Sequence, residues 1–411
     1  MQPESSLSII TGIETLGLVE QNIAIIGCGP GGLASSLFLA QQGHNVTLFE
    51  RFSEPKPLGS GLLIQPSGQH ILQLLGLLEN IKQRSRPVDQ LHGVSVHKNR
   101  RALDMKYEHA RHAVSALGIH RASLFTVLMD AVLAMKIPIE VDRELLGVKE
   151  TETSIQPVFA GGLEGEKFDV LVDASGARSP LATGRIRKLS YGAFWATVDM
   201  PGNHKVMPNA LDQRYWHASK MAGIMPVGIN PTTGHQGAAI FWSEKPENTA
   251  SVIDAGIEQF RDQYCRLWPE AEPFIAQIKS MDELTMAVYS HRTGRSQTST
   301  RLYHVGDSWH CTSPQLGQGA NMALIDAGAL AQAVERAVSL EDVSKRYRRL
   351  RSFHIELYQL LSIMFTPLYQ SNGRFLPLFR DLAIHYFARL PLVRSFITHT
   401  VSGVLGLKRP K

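Results

Sequence analysis

The sequence predicts an α/β fold. A Rossmann-like domain is interleaved with an α+β domain on a mixed or antiparallel sheet, and a helical region follows at the C-terminal end. Two observations carry this reading. Near residue 25 a short apolar run leads into glycines at 27, 29 and 32 and then into a helical pattern. Far downstream a second apolar run ends in Gly306-Asp307 and leads through a glycine-rich loop into a long helix.

The first element is Ile23-Ala24-Ile25-Ile26, apolar throughout as a parallel strand buried on both faces would be. Leu33, Leu37 and Ala40 then recur at helical spacing up to Gly43, and Asn45-Val46-Thr47-Leu48-Phe49 forms a second strand ending in Glu50. This is a complete βαβ unit. Gly27 permits the tight turn, Gly29 lets a pyrophosphate approach the backbone, and Gly32 lets helix and strand pack closely, with Gly31 between them. The helix N-terminus offers N–H groups and positive dipole to phosphate. Glu50 stands where a carboxylate accepts ribose hydroxyls. The unit reads as a dinucleotide site, without separating FAD from NAD.

The next strong signal is Leu302-Tyr303-His304-Val305 running into Gly306-Asp307, then Pro314 to Gly319, then a helix from Ala320-Asn321 onward. Asp307 at a strand end is placed to accept hydrogen bonds from a polyol. The positive end of the helix points at whatever lies on the loop, which suits a reduced flavin that is anionic at its pyrimidine edge.

With both motifs in hand, the chain resembles the class A flavoprotein monooxygenases, the para-hydroxybenzoate hydroxylase fold, from about residue 20 to about 335. The resemblance implies FAD as cofactor and NAD(P)H as transient reductant. It implies that O2 adds at the flavin C4a carbon and that the resulting hydroperoxide hydroxylates or epoxidises the substrate. It assigns Asp307 to the ribityl chain, and Pro314, Gly317, Gly319, Ala320 and Asn321 to the isoalloxazine ring. Arg121, in His120-Arg121-Ala122-Ser123-Leu124, falls at the ribityl or phosphate region. Arg51 falls near the adenosine, and Leu145 on a strand that passes the adenine through its backbone. The family's middle D-G motif falls at Asp173-Ala174-Ser175-Gly176-Ala177-Arg178-Ser179. Asp173 and Gly176 are carried over to the cofactor, while Ser175 stands where the usual Asp stands. That departure bears on direct reduction by NAD(P)H more than on FAD. On the family's logic, Ser175→Asp should leave FAD binding intact and not slow reduction.

Composition narrows the remaining classes. With 411 residues, 44% apolar and 19% charged, the chain has room for two domains with sizeable cores. Cys28, Cys265 and Cys311 show neither metal nor disulfide spacing and fit a reducing cytosol, so a cytoplasmic enzyme without metal is expected. The first residues lack a basic region and are not a signal peptide; they read as an extra arm. The net charge of +5 raises nucleic acid as a partner. However, the main basic run, Lys345 to Arg351, lies in a helix opened by the capping-box pattern Ser339-Leu340-Glu341-Asp342 and reads as a solvated face, so no nucleic acid is expected.

The domain pattern follows. Residues 1–19 form the arm; 20–90, 110–185 and 291–335 form the FAD-binding domain; 91–109 and 186–290 form the substrate domain; 336–411 form the helical region. In the substrate domain the runs Phe194–Val198, Gly223–Val227 and Gly237–Trp242 read as strands, followed by a helix from about 251 to 266. Beyond 340 the prolines Pro367, Pro377 and Pro391 cut a helical stretch into segments. The apolar end of the chain reads as a cap over the other domains; the alternatives are a peripheral membrane contact and a homodimer element.

The substrate should lie between the flavin and the sheet of the insert, lined by Trp195, Tyr215, Trp216, Phe241 and Trp242, each of which could equally be sheet core. His217 is the candidate to take a phenolic proton, against the commoner structural role of a lone histidine. These aromatics suit an aromatic, polycyclic or prenylated substrate. The alternatives in other classes are a flavin-dependent halogenase, whose W-x-W-x-I-P signature is absent, a prenyl-type reductase, and a non-catalytic flavin-binding partner.

Overall fold

Apolar strands buried on both faces set the architecture. The computed structural model describes residues 18–55, 60–110, 113–373, 375–387 and 390–407, so most of the N-terminal arm lies outside the described residues. The chain opens with β1 (Asn22–Ile26), α1 (Pro30–Gln41) and β2 (Asn45–Phe49). It continues through β3 (Gly61–Ile64), α2 (Pro66–Leu74), α3 (Leu78–Arg84) and β4 (Arg86–Val88), then the hairpin β5 (Gln90–Ser95) and β6 (Arg100–Lys106). Next come β7 (Ala116–His120), α4 (Arg121–Ala134), β8 (Ile139–Glu140), the pair β9 (Leu145–Glu150) and β10 (Ile155–Phe159), and β11 (Val170–Asp173). Four long strands follow: β12 (Arg187–Asp199), β13 (Ala210–Trp216), β14 (Lys220–Ile229) and β15 (Gln236–Glu244). Helices α5 (Thr249–Leu267) and α6 (Glu272–Ile275) precede β16 (Thr285–Thr293), β17 (Leu302–His304) and β18 (His310–Cys311). The chain closes with α7 (Gly319–Glu335), α8 (Leu340–Tyr369), α9 (Phe375–Phe387) and α10 (Pro391–Val401).

β1 lies at the centre of a parallel sheet ordered β17-β11-β1-β2-β8. Alternation explains its unbroken apolar run. Ile23 and Ile25 enter the core under α1, α4, α7 and α8, while Ala24 and Ile26 enter a second core formed with the β9–β10 pair. Gly27 ends the strand with φ +101°, and a Cβ on Gly32 would stand 1.9 Å from the Gly27 carbonyl oxygen, so helix and strand touch only because both are glycine.

The second sheet has eight strands, ordered β18-β16-β12-β15-β14-β13-β5-β6. β5 joins β13 in parallel, which brings the 90–106 hairpin to its edge. The boundary expected at residue 291 falls inside β16, which continues to Thr293 and pairs with β18. One face of this sheet packs on α5 and α6 through Phe194, Ile224, Ile240 and Trp242. The other face, with Trp195, Tyr215, Met221 and Phe241, looks toward the parallel domain and α8.

The C-terminal prolines do not all cut. Pro367 sits inside the last turns of α8, whereas Pro377 lies in the first turn of α9 and Pro391 at the first position of α10. Proline costs little at a helix start, where its missing N–H has no partner anyway. The capping box expected at Ser339 is present on one side: Ser339 Oγ accepts the Asp342 amide at 3.2 Å. No described helix is long and apolar enough to cross a membrane.

Candidate active site

The βαβ turn builds one half of the site. Glu50 closes it from below, accepting the amides of Cys28 and Arg51, each at 2.9 Å. The Gly27 amide donates to the Phe49 carbonyl at 2.7 Å. Gly31 is held against α7 and Val305, where a Cβ would meet Val305 Cγ1 at 2.9 Å. Gly29, the N-cap of α1, is different: a Cβ there meets no protein atom within 4 Å. Packing therefore does not demand glycine at 29. The open space over a helix N-terminus is what a pyrophosphate needs. Arg51 is exposed, its guanidinium 4.5 Å from the Phe52 ring centroid. Leu145 is core, packed with Phe49 and Phe159, so it has only its backbone to offer a ligand.

The other half comes from β17, Gly306-Asp307 and the loop into α7. Gly306 takes φ +66°, and its amide donates to Asp326 Oδ2 at 2.9 Å. Asp326 also accepts from His310 at 2.6 Å and from Arg351 on α8 at 2.7 Å. Arg351 meets His354 at 2.7 Å, and the far nitrogen of His354 meets the Gly403 carbonyl at 3.1 Å. A buried chain of polar groups thus ties the Asp307 turn to the C-terminal end. Asp307 itself is exposed, but it lines a cavity and has protein crowded around it. That crowding pushes its carboxyl above the usual range, while His310, Arg121 and Arg292 pull in the opposite direction.

The cavity holds about 850 Å³ and lies between the two sheets. It brings together Arg121, Asp307, Pro314, Gly317, Gly319 and Ala320 from one side with Trp195, Tyr215 and Phe241 from the other. Arg121 is set by β7 and α4, its amide donating to the Ser60 carbonyl at 2.9 Å. The glycine loop keeps its shape through Gly317 at φ +61°. Helix α7 directs its N-terminus at this loop.

Several sequence candidates lie elsewhere. Asn321 is fully buried: its Oδ1 accepts the Gln65 amide at 2.8 Å, and its Nδ2 donates to the Leu63 and Gly317 carbonyls. It pins β3 to the loop instead of lining the cavity. Asp173 is likewise fully buried, accepting from Ser175 Oγ at 2.6 Å, Ser179 Oγ at 2.5 Å and His304 at 2.9 Å. Burial alone would raise it; the histidine and the two hydroxyls outweigh that and hold it below the usual carboxylate range. Gly176, at φ +84°, continues the same turn with open space where a Cβ would stand.

Trp242 faces α5, stacked near Tyr264 at 5.4 Å, because it follows Phe241 and neighbours on a strand face opposite ways. Trp216 is 45% exposed, on a surface cluster with His97 and His217. His217 occupies the left-handed turn after β13 at φ +55° and is absent from the cavity wall, so the expected proton acceptor has no place there.

Two further wall residues were not among the sequence candidates. Tyr289 on β16 accepts the Trp195 indole N–H at 2.8 Å, and burial lifts its phenol to about 12. Arg380 on α9 donates to Asp381, to the Leu368 carbonyl at 3.0 Å and to the His217 carbonyl at 3.2 Å, and lies over the Tyr215 and Tyr369 rings. An Arg-Asp pair inside an apolar helix was the available sign that this helix covers something. Among the described residues no cluster of His, Cys, Asp or Glu could hold a metal ion.

Comparison with known proteins identifies the family and the fold. The family described as FAD binding domain matches residues 20–351. The 6-methylpretetramide 4-monooxygenase of Streptomyces rimosus is 22% identical over 403 residues, 93% of this chain and 92% of that protein. The 6-hydroxynicotinate 3-monooxygenase of Bordetella bronchiseptica is 22% identical over 344 residues, 79% and 85% of the two chains. A single-residue variant of HpxO from Klebsiella pneumoniae, solved with FAD, superposes with a TM-score of 0.79 at 16% identity, covering 94% of this chain and all of that one.

Proposed function

The chain belongs to the FAD binding domain family, and from that premise we propose that it hydroxylates an aromatic small molecule with NAD(P)H and O2. It binds FAD and is an oxidoreductase of the FAD-dependent monooxygenase kind. The observation that carries the reading is the shared cavity, in which Arg121, Asp307 and the Pro314–Ala320 loop face Trp195, Tyr215 and Phe241 across one space.

The residues present fit the cofactor. The open surface over Gly29 would take the pyrophosphate, Glu50 the adenosine ribose, and Asp307 with Arg121 the ribityl chain and its surroundings. The loop from Pro314 and the N-terminus of α7 would lie against the ring system. When bound, FAD supplies the redox chemistry: one oxygen atom of O2 enters the ring, the other leaves as water, and NAD(P)H provides the electron pair. The protein's own residues do the positioning. Trp195, Tyr215 and Phe241 give flat apolar walls, and Tyr289 can offer its hydroxyl proton to a substrate oxygen while accepting from Trp195. The enclosing wall keeps water from the reacting centre. The comparisons lend no support to a membrane contact through the C-terminal helices, and this reading keeps them as cavity wall.

The test is spectroscopic. The purified protein should carry oxidised flavin that bleaches anaerobically with NADPH or NADH, faster with a phenol present, and admitting O2 should give hydroxylated product. A bound flavin that neither reductant bleaches, with any of a panel of phenols, would sink the proposal and leave an externally reduced or non-catalytic flavoprotein.

A further inference from the structure

We propose, building on the hydroxylase reading, that the substrate is an uncharged aromatic compound with a long aliphatic chain. The ring sits toward Asp307 and Arg121, and the chain runs out between α9 and α10.

Size is the first argument. At about 850 Å³ the cavity stands near the top of the range of roughly 300–1,000 Å³ typical of small-molecule sites. A flavin ring would take the end formed by Asp307 and the Pro314–Ala320 loop, leaving the rest of that volume to the substrate. A single substrate ring leaves the far end empty, and an empty apolar space forgoes the contacts that bind a ligand.

The character of that far end is the second argument. Its wall is mostly apolar, Leu103, Leu211, Met221, Leu368, Val393 and Ile397 from both sheet and C-terminal helices, with the Gln213 amide engaged by Met221 and the Gln370 amide by the Gly192 carbonyl. The cation at this end among the described lining residues, Arg380, already donates to Asp381 and two carbonyls and is stacked on two tyrosines. Asp104 is paired with Arg101 at 2.6 Å. A carboxylate placed here would be buried without a cation of its own among the described lining residues, at a cost that methylene groups do not meet.

The third argument is the way out. Phe379 on α9 and Phe396 on α10 both line the cavity and are still 65% and 45% exposed, so the wall reaches the surface through an apolar mouth. On the same two helices Phe375 and Leu392 lie almost fully exposed. A chain longer than the cavity would continue along them.

The experiment uses the FAD-loaded full chain and a series of 4-alkylphenols from propyl to nonyl, with phenol and 4-hydroxybenzoate for comparison. Binding is read from perturbation of the flavin spectrum, turnover from product. Affinity should rise about threefold to fourfold per methylene, the value for burying one such group, and level off for the longest chains. 4-Hydroxybenzoate should bind more weakly than propylphenol. Ile397→Trp, which fills the channel, should flatten the series. A flat series in the unaltered protein, or a preference for 4-hydroxybenzoate, would overturn the inference even if phenols are hydroxylated. Methylene-dependent binding to a flavin that neither NADPH nor NADH bleaches would uphold it and overturn the hydroxylase reading instead.

Discussion

Gly29 and Gly32 separate binding from folding at the scale of one residue. A side chain at 29 meets no protein atom, whereas one at 32 collides with the Gly27 carbonyl. Gly29→Val should therefore fold and purify without flavin, while Gly32→Val should fail to give soluble protein. Asp307→Ala should also purify colourless, because it removes the acceptor at the polyol position and relieves a carboxyl that its surroundings already disfavour in the charged form. If either Gly29→Val or Asp307→Ala stays yellow with unchanged flavin affinity, these residues do not hold FAD. At Ser175 the geometry adds a cost in stability that the family's logic, which concerns FAD binding and reduction, does not cover. Its hydroxyl donates to Asp173, so Ser175→Asp would set a second carboxylate, half-buried, beside a fully buried one. We expect a stability loss of about 2–4 kcal/mol, measured by urea unfolding. The spacing of glycines and acids made these positions legible. Which acid faces a ligand and which faces a histidine was not, because His304 lies 131 residues from Asp173 in the chain.

Among elements, the parity of strands decides the wall. Phe194 and Trp195 alternate, as do Phe241 and Trp242 and Tyr215 and Trp216, so each pair can give only one member to the cavity. Naming both Tyr215 and Trp216, and both Phe241 and Trp242, as pocket candidates left that constraint unused, though it was readable in the sequence; which member faces inward was not, since both faces of the sheet are covered. Helix α8 acts as a buried cross-brace. Its Arg351 neutralises Asp326, which in turn holds the Gly306 amide and His310. Arg351→Met leaves that carboxylate without its cation and should cost about 3–5 kcal/mol, the usual consequence of removing one partner of a buried pair. Chemical unfolding followed by circular dichroism measures it. A loss under about 1 kcal/mol would mean that His310 alone satisfies Asp326. The basic run of this helix had read as a solvated face, and for Lys345 and Arg346 it is one. Arg351 turns inward a helical turn later, and nothing local in the sequence distinguishes it.

Across the whole molecule, buried titrating groups tie the parallel sheet and α7 to the C-terminal helices, and their signs agree. Asp173 lies between β11 and β17 of the parallel sheet, while Asp326 and His354 link α7, α8 and the stretch after α10. For Asp326, burial opposes the charge, but His310 and Arg351 outweigh it and hold the carboxyl below its ordinary value. For His354, burial first and Arg351 second depress the imidazole from 6.5 to about 3. A base depressed on folding binds its proton more readily in the unfolded chain. Its stabilisation is complete above 6.5 and is lost as pH falls toward 3. His44, His120 and His291 are also lowered by burial and add in the same direction. The two aspartates keep their contribution above the ordinary value of 3.8 and lose it as pH falls further. The melting temperature should thus hold steady above neutrality, decline once pH drops below 6.5, and collapse in the range where the carboxyls protonate. His354→Gln retains a group able to hydrogen-bond both Arg351 and the Gly403 carbonyl but does not titrate. Measured by thermal unfolding at a series of pH values, it should show a shallower decline between neutrality and mild acid than the unaltered chain. Parallel curves would place the acid sensitivity in the other histidines.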